Sequence, residues 1–439
     1  MKKVVKFGGS SLASAEQFKK VGESIRAEEG RRYVVPSAPG KRFSADTKVT
    51  DMLYQCYEKA ENGKDFEELL NAIRERYQEI IDGLALDLSL DSEFAIIREN
   101  FLKKAGSDYA ASRGEYLNGI IMANYLGYTF IDAAEVILFQ ENGTYDEKKT
   151  NKLLSKRLSE VETAVIPGFY GSMPDGRIKT FSRGGSDLTG SIVAKAAKVD
   201  MYENWTDVSG FLIADPRIIH NPKAIEAITY RELRELSYMG ATVLHEDAIF
   251  PIRKEGIPIN IKNTNAPQDP GTLIVEATCR HPKYTITGIA GKQGFASITI
   301  EKAMMNSEIG FCRKILQVFE DNHISIEHMP SGIDTMTVLV HQSEFEEKEQ
   351  KVIAGIHQAV QPDSIELESD LALIAIVGRG MKSKRGTSGR IFSALAHAHV
   401  NVKMIDQGSS ELNVVVGVRN HDFENAIRAL YDIFVTTRL

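Results

Sequence analysis

The stretch Lys3-Val4-Val5-Lys6-Phe7-Gly8-Gly9-Ser10-Ser11 decides how this chain is read. A short β-prone run passes straight into two glycines and two serines, the pattern of a strand ending in a tight polar turn. Glycines there let backbone N–H groups approach a polyanion closely, and Lys6 supplies the counter-charge. The stretch is not a Walker A loop, because no Gly-Lys-Ser/Thr follows four residues after a glycine, and it is not G-x-G-x-x-G. Alone, it is also the pattern of a plain turn.

Outward from this stretch, residues 1 to about 285 alternate β-rich and helical runs. Strands are expected at 3–7, 33–37, 129–132, 164–169, 202–207 and 257–262. Helices are expected at 66–82, 93–104, 115–126, 189–197 and 230–236, with Leu117, Ile120, Ile121 and Tyr125 on one face. This alternation predicts an α/β domain with a mostly parallel sheet, whose ligands bind outside the carboxyl ends of the strands. Three more segments carry polar groups suited to such a place. Ser182-Arg183-Gly184-Gly185-Ser186-Asp187 runs into a helix, where unpaired N–H groups attract anions and Arg183 could grip a carboxylate; a helix cap beside a surface arginine is the alternative. Thr206-Asp207-Val208-Ser209-Gly210 is followed by Asp215-Pro216-Arg217, a common turn. Ser112-Arg113-Gly114-Glu115 is placed at a helix start, with Glu115 a first-turn glutamate favoured by the helix dipole.

The last third contains a repeat. Laying His323-Ile324-Ser325-Ile326 over His399-Val400-Asn401-Val402 gives an offset of 76, and at that offset Gly310 meets Gly386, Ile315 meets Ile391, and Val338 meets Val414. Two copies make a pair of small α+β modules, not a solenoid. In the first copy Ile309, Cys312, Ile315, Leu316 and Phe319 are expected to form the buried helix face. The hinge is expected at 277–283.

The 439 residues suffice for two to four domains, and 43% hydrophobic with 26% charged residues excludes a disordered composition. A net charge of −7 argues against general nucleic-acid or anionic-membrane binding. Three scattered cysteines and no HExxH argue against a disulfide framework, a zinc cluster or a metalloprotease. With no signal-peptide core and no long apolar run, a cytoplasmic location is expected.

Taken together these motifs, with Ser37-Ala38-Pro39-Gly40, Thr50-Asp51 and Ser237-Tyr238-Met239-Gly240-Ala241, resemble those of the aspartate kinases within the amino acid kinase superfamily. The resemblance covers essentially the whole chain, and the repeat resembles the family's tandem ACT domains. Residues 41–48 lengthen a loop that is usually shorter, and Leu212 stands where many relatives carry tyrosine. The resemblance implies a three-layer αβα amino acid kinase fold over 1–285, followed by ferredoxin-like ACT modules over 297–368 and 371–439. It implies transfer of a phosphoryl group from MgATP to the side-chain carboxylate of L-aspartate, the first step towards lysine, threonine and methionine, with lysine and/or threonine as inhibitor. Self-association through the ACT domains into a homodimer or homotetramer follows from the same resemblance.

The roles it implies are specific. Lys6, Gly8, Gly9 and Asp187 form the catalytic set. Ser37, Thr50, Glu115 and Arg183 bind aspartate. The nucleotide is met by Lys6, Phe7, Gly8, Gly9, Thr206, Asp207 and Arg217. No dedicated protein metal site is expected, Mg²⁺ arriving with ATP. The effector site is expected in the first ACT module, at the loop Met304, Asn306, Ser307, Glu308, Ile309 and Gly310, together with Glu327, Ser331 and Asp334. Another amino acid kinase, acting on glutamate or acetylglutamate, and a non-catalytic amino-acid sensor are the alternatives. No nucleophile or general base is required for the implied reaction, because a carboxylate is already ionised at neutral pH. The difficulty is that an anion attacks a polyanion, so positioning and charge neutralisation carry the catalysis.

Overall fold

The structure is a computed structural model that describes all residues except 183, 242–243, 245–249, 278–282 and 438–439, and omits the Ser383 side chain. It divides into two compact units. The first comprises 1–211, 224–230 and 243–278; the second comprises 212–223, 231–242 and 279–439.

In the first unit, strands β1 Lys3–Phe7, β2 Arg31–Pro36, β3 Thr129–Phe130 and β4 Ala164–Val165 are followed by the hairpin β5 Tyr170–Ser172 and β6 Ile178–Thr180. Then come β7 Met201–Thr206, β8 Ala227–Thr229, β9 Ile259–Asn263 and β10 Thr272–Val275. Eight of these form one sheet in the order β3-β4-β2-β1-β7-β9-β10-β8. Only the β9–β10 pair is antiparallel. The order leaves β1 in mid-sheet with β2 on one side and β7 on the other, so chain segments leaving these strands diverge around a crevice at their carboxyl ends. β1 is buried along its length, as a central parallel strand must be. Its Phe7 ring stacks on Trp205 of β7, with centroids 5.7 Å apart.

Two local expectations shift. The helix expected from 115 begins at Ser107 and runs to Leu126, so Gly114 does not break it and Glu115 lies past the second turn, buried. The dipole reading of Glu115 is therefore replaced by a burial reading. β4 is shorter than 164–169; Ile166 and Gly168 still donate to Val34 and Pro36, but Pro167 has no N–H and ends the regular ladder.

The second unit is built on an antiparallel sheet of β11 Gly288–Glu301, β12 Ile326–His328, β13 Thr335–His341, β14 Ser364–Val377, β15 Met404–Asp406 and β16 Asn413–Arg419. Their order is β12-β13-β11-β14-β16-β15. β11 and β14 pair along their lengths, from Gly288↔Val377 to Glu301↔Ser364. Residues 288–293 thus lie against 372–377, outside the 297–368 and 371–439 boundaries expected from the repeat, and supply an edge to the second copy. Segment 231–242 also belongs with this unit: buried Glu232 pairs with Arg379 at 2.8 Å and accepts from Thr287.

The repeat itself is structural. Helices Phe311–Asp321 and Thr387–His397 are both preceded by a glycine with positive φ, Gly310 (83°) and Gly386 (81°). The offset of 76 holds through the helices, but in register with β11 and β14 the last strand is offset by 78: Ile298 faces Val338, and Ile374 faces Val416. Side chains alternate with period two along a strand, so a two-residue insertion preserves the inward face, and an offset of 76 still lays inward residues over inward residues there. The buried helix face is Phe311, Ile315, Val318 and Phe319. Ile309, Cys312 and Leu316, expected there, are exposed: Ile309 precedes the helix, and Cys312 and Leu316 lie on its outer face.

Candidate active site

Two helices begin at the crevice. Helix Val49–Glu61 presents Thr50 and Asp51 from its first turn, and helix Gly185–Ala197 presents Gly185, Ser186 and Asp187 from its own. With Lys6, Ser37, Lys48, Glu115, Phe169, Ser182 and Gly184 they line a cleft of about 320 Å³. The unpaired N–H groups and dipoles of both helix starts make this a place for anions.

Lys6 reaches the cleft from the end of β1 and pairs with Asp187 at 2.5 Å, both side chains being largely buried. Asp187 also accepts from Asn204 Nδ2 at 2.8 Å, and Tyr202 donates to its carbonyl. β7 therefore fixes the partner of the β1 lysine, a role for Asn204 and Tyr202 that motif reading missed. Strand alternation could have supplied the signal, since Lys6 lies opposite Asn204.

Gly9 allows a close approach. A Cβ there would lie 2.8 Å from the Ala38 carbonyl oxygen and 3.2 Å from Gly40, and Gly40 N–H donates to Gly9 O at 2.8 Å. The Gly8 amide, in contrast, donates to Trp205 O at 3.0 Å. It is thus engaged within the fold, and the expectation that it surrounds a transferred group is corrected. Phe7 is fully buried against Trp205, so its side chain supports the strand rather than meeting a nucleotide.

Glu115 is the cleft's most perturbed group. Burial pushes its carboxyl up to about 8, although the Ala38 backbone amide and the charges of Lys6 and Arg113 hold it down in part. Its Oε2 is buried with no hydrogen-bond partner among the described residues. Such an oxygen is costly until a donor arrives. Gly114 explains how Glu115 comes so close: a Cβ at 114 would sit 2.8 Å from Ala38 Cβ and 3.7 Å from Thr50 Oγ1. Of the Ser-Arg-Gly-Glu motif only Glu115 lines the cleft. Arg113 is buried over the rings of Tyr109, Tyr116 and Tyr170, at 4.3–5.3 Å from their centroids. Ser37 is set by Asn118, which donates to its carbonyl at 2.6 Å. Phe169 carries φ 81°, a conformation rare for an aromatic residue, and is held there by Thr189 Oγ1 and Phe181 N–H. Lys48 and Phe169 carry no motif and were not anticipated.

Arg183 lies outside the described residues, as does most of the expected hinge at 277–283. Thr206 ends β7 and bonds the exposed Asp207 beside it. Arg217 belongs to segment 212–223 of the second unit, where it grips Asp215 at 2.6 Å. In that unit Met304, Asn306 and Asp334 come together: Asp334 accepts from Met304 N–H and Asn306 donates to Ile333 O. Ser331 bridges to Met336, and Gly310 opens the helix. Glu308 is already held by Lys302 and Lys314, at 2.5 and 2.6 Å, whose hydrogen bonds lower its carboxyl below the usual range. Glu327 accepts from Tyr238 at 2.6 Å and faces His341 at 3.3 Å. The nine residues are thus one loop cluster plus Glu327, whose carboxylate is engaged elsewhere.

A mostly parallel sheet with glycine turns and two helix starts around one lysine–carboxylate pair defines a phosphoryl-transfer enzyme of the amino acid kinase class. Residues 1–263 match the amino acid kinase family, and residues 374–434 match an ACT domain. Over 98% of both chains the protein is 40% identical to aspartokinase 3 of Bacillus subtilis. The aspartate kinase of Clostridium acetobutylicum, described as an allosteric enzyme, superposes with a TM-score of 0.92 at 52% identity, covering 99% of this chain and 100% of that one. Escherichia coli aspartokinase III, solved with aspartate and ADP and with lysine and aspartate, shares the fold at a TM-score of 0.73 and 24% identity over 99% of both chains. The chain belongs to the aspartate kinases. No helix among the described residues is long and apolar enough to cross a membrane.

Proposed function

We propose that the cleft transfers the γ-phosphoryl group of MgATP to the side-chain carboxylate of L-aspartate, giving ADP and 4-phospho-L-aspartate, in the cytoplasm. The observation that carries this is the buried, partnerless Glu115 oxygen within the same cleft as the Lys6–Asp187 pair. An amino-acid ammonium satisfies the first, and a phosphoryl group meets the second. Lys6 draws charge off the group in flight, and Asp187 orients Lys6. Ser37, Thr50 and Arg183 hold the carboxylates of aspartate. Thr206 and Asp207 take the nucleotide.

Magnesium enters as part of the MgATP substrate. Among the described residues no group of three His, Cys, Asp or Glu side chains is placed to hold a metal. An ion of this kind is held mainly by phosphate oxygens and water, and Asp51 and Asp187 are the cleft carboxylates that could share in holding it. A hydroxamate assay for acyl phosphate with aspartate, glutamate and acetylglutamate as acceptors tests the reading. Aspartate should be preferred; equal or greater product with another acceptor would reject it.

Regulation by lysine and/or threonine at the loop 304–310 is part of the same proposal, as is self-association into a homodimer or homotetramer. Met304 is 68% and Ile309 98% exposed, an apolar pair on one loop suited to being covered by ligand or by a second copy. An amino acid offers an ammonium for Asp334. Aspartate kinetics with lysine, threonine and both added, beside the sedimentation of the protein, would expose a failure of either part.

A further inference from the structure

The loop at 40–48 is tied down by one buried arginine. Arg76, on helix Glu67–Gly83 and 5% exposed, donates from Nη2 to Gly40 O and from Nη1 to Thr47 O, both at 2.7 Å. It therefore grips the two ends of the loop at once. Its charge is met by Asp46 at 3.3 Å, which also accepts from Arg42 Nε at 3.0 Å, while Arg42 reaches Glu79 at 3.0 Å. Val49 N–H closes the base on Pro39 O. Beside these ties lies a pocket of about 310 Å³, lined by Arg42, Asp46, Met52, Leu69, Arg76 and Glu79 among others. Ionic ties rather than packing hold the loop in place.

What the loop delivers is Lys48, the residue before helix Val49–Glu61, into the cleft beside Thr50. Lys6, the other lysine lining the cleft, is paired with Asp187. Lys48 has no ion pair and no side-chain hydrogen bond among the described residues. An incoming oxyanion thus finds one lysine neutralised and one uncommitted.

We propose that Lys48 is a second oxyanion-binding cation of this cleft, and that Arg76 is the positioning residue that holds it there. This rests on the kinase reading above. The oxyanion is either a phosphate oxygen of the nucleotide or a carboxylate of the acceptor. Two separate KM values distinguish them, because only the substrate that touches Lys48 should need more of itself when Lys48 is removed.

The test is a double-mutant cycle on the full chain with K48A and R76Q, and with R76K and D46N as milder variants in case R76Q fails to fold. Loss of a charge-assisted hydrogen bond should lower kcat/KM by about 10- to 100-fold in K48A, with one of the two KM values rising. Each loop variant should reproduce the same KM pattern more weakly, and combined with K48A it should add almost nothing. R76K, able to reach only part of this set, should fall between wild type and R76Q. If K48A changes kcat and both KM values less than twofold while the wild type makes aspartyl phosphate, the inference fails and the kinase reading stands. If the wild type makes none, that reading fails first. Effects of Arg76 and Lys48 that multiply independently would remove Arg76 as a positioning residue.

Discussion

Replacing Glu115 with glutamine tests the site and the stability of the protein in one experiment. Burial raises this carboxyl from an ordinary 4.5 to about 8. Between those values the native state keeps a proton that the unfolded chain releases, so stability falls as pH climbs through the window and is flat outside it. Each pH unit in the window is worth about 1.4 kcal/mol. At pH 7 the burden is therefore on the order of 3 kcal/mol, and at pH 5 it is under about 1 kcal/mol. Glu115→Gln removes the titration and keeps the shape, so urea unfolding should show it more stable than wild type at pH 7 and nearly equal at pH 5. Aspartate binding should respond in the opposite direction. The substrate ammonium needs the ionised form, so calorimetric affinity in wild type should rise about tenfold from pH 6 to 7 and level off above 8, with protons released on binding. In the glutamine variant affinity should be weak and level with pH. A wild-type affinity that does not vary from pH 6 to 8.5, with no stability gain in the variant, would refute the reasoning.

Lys6→Ala should lower kcat by about 10²–10³-fold in the hydroxamate assay, the size associated with a charge-stabilising donor; a near-normal kcat would remove it from the catalytic set. Gly114→Ala puts a methyl 2.8 Å from Ala38 Cβ, so it should raise the aspartate KM and cost about 1–3 kcal/mol in thermal unfolding. An unchanged KM would mean that the Ala38 approach does not shape the site. Glu203 is 2% exposed and accepts from Lys3, Arg31 and the Trp205 indole at 2.7–2.9 Å. Burial works to push its carboxyl up, but Arg31 and Lys3 more than offset that and leave it below the usual range. Glu203→Ala should cost up to about 3–5 kcal/mol in urea unfolding with kcat largely retained, because two buried cations lose their buried partner and keep only the partly exposed Glu28.

The catalytic fold was legible because its motifs are local. β1 was placed to the residue, and Lys6, Ser37, Thr50, Glu115 and Asp187 were each found by a short pattern and do line one cleft. What escaped was produced by tertiary contact. The environment of Glu115 is hidden in the sequence because a glycine ordinarily marks a helix boundary, whereas Gly114 sits in mid-helix where Ala38 approaches. Gly8 was given a free amide because nothing in its own sequence reveals that β7 presents the Trp205 carbonyl to it. Arg76 and Lys48 belong to no motif, and their relation appears only when the 40–48 loop folds back on its helix.

The regulatory half was legible in a different sense, through periodicity instead of motif. The offset between copies is constant only where insertions would be noticed. A helix turns 100° per residue, so a two-residue insertion inside 311–321 would rotate its apolar face out of the core, and that offset stayed at 76. A strand tolerates the same insertion without exchanging its faces, and there it occurred. The same logic explains why the repeat alone does not mark where one module gives way to the next. β11 and β14 are 14 residues long, twice what one module needs, and neither sequence marks the point where pairing passes from one copy to the other. Residues 288–293 serve the second copy while 295–301 serve the first, so any change that slid β11 against β14 would move both copies together. Coupling between the two modules therefore needs no separate linkage, since they share the strands on which both are built.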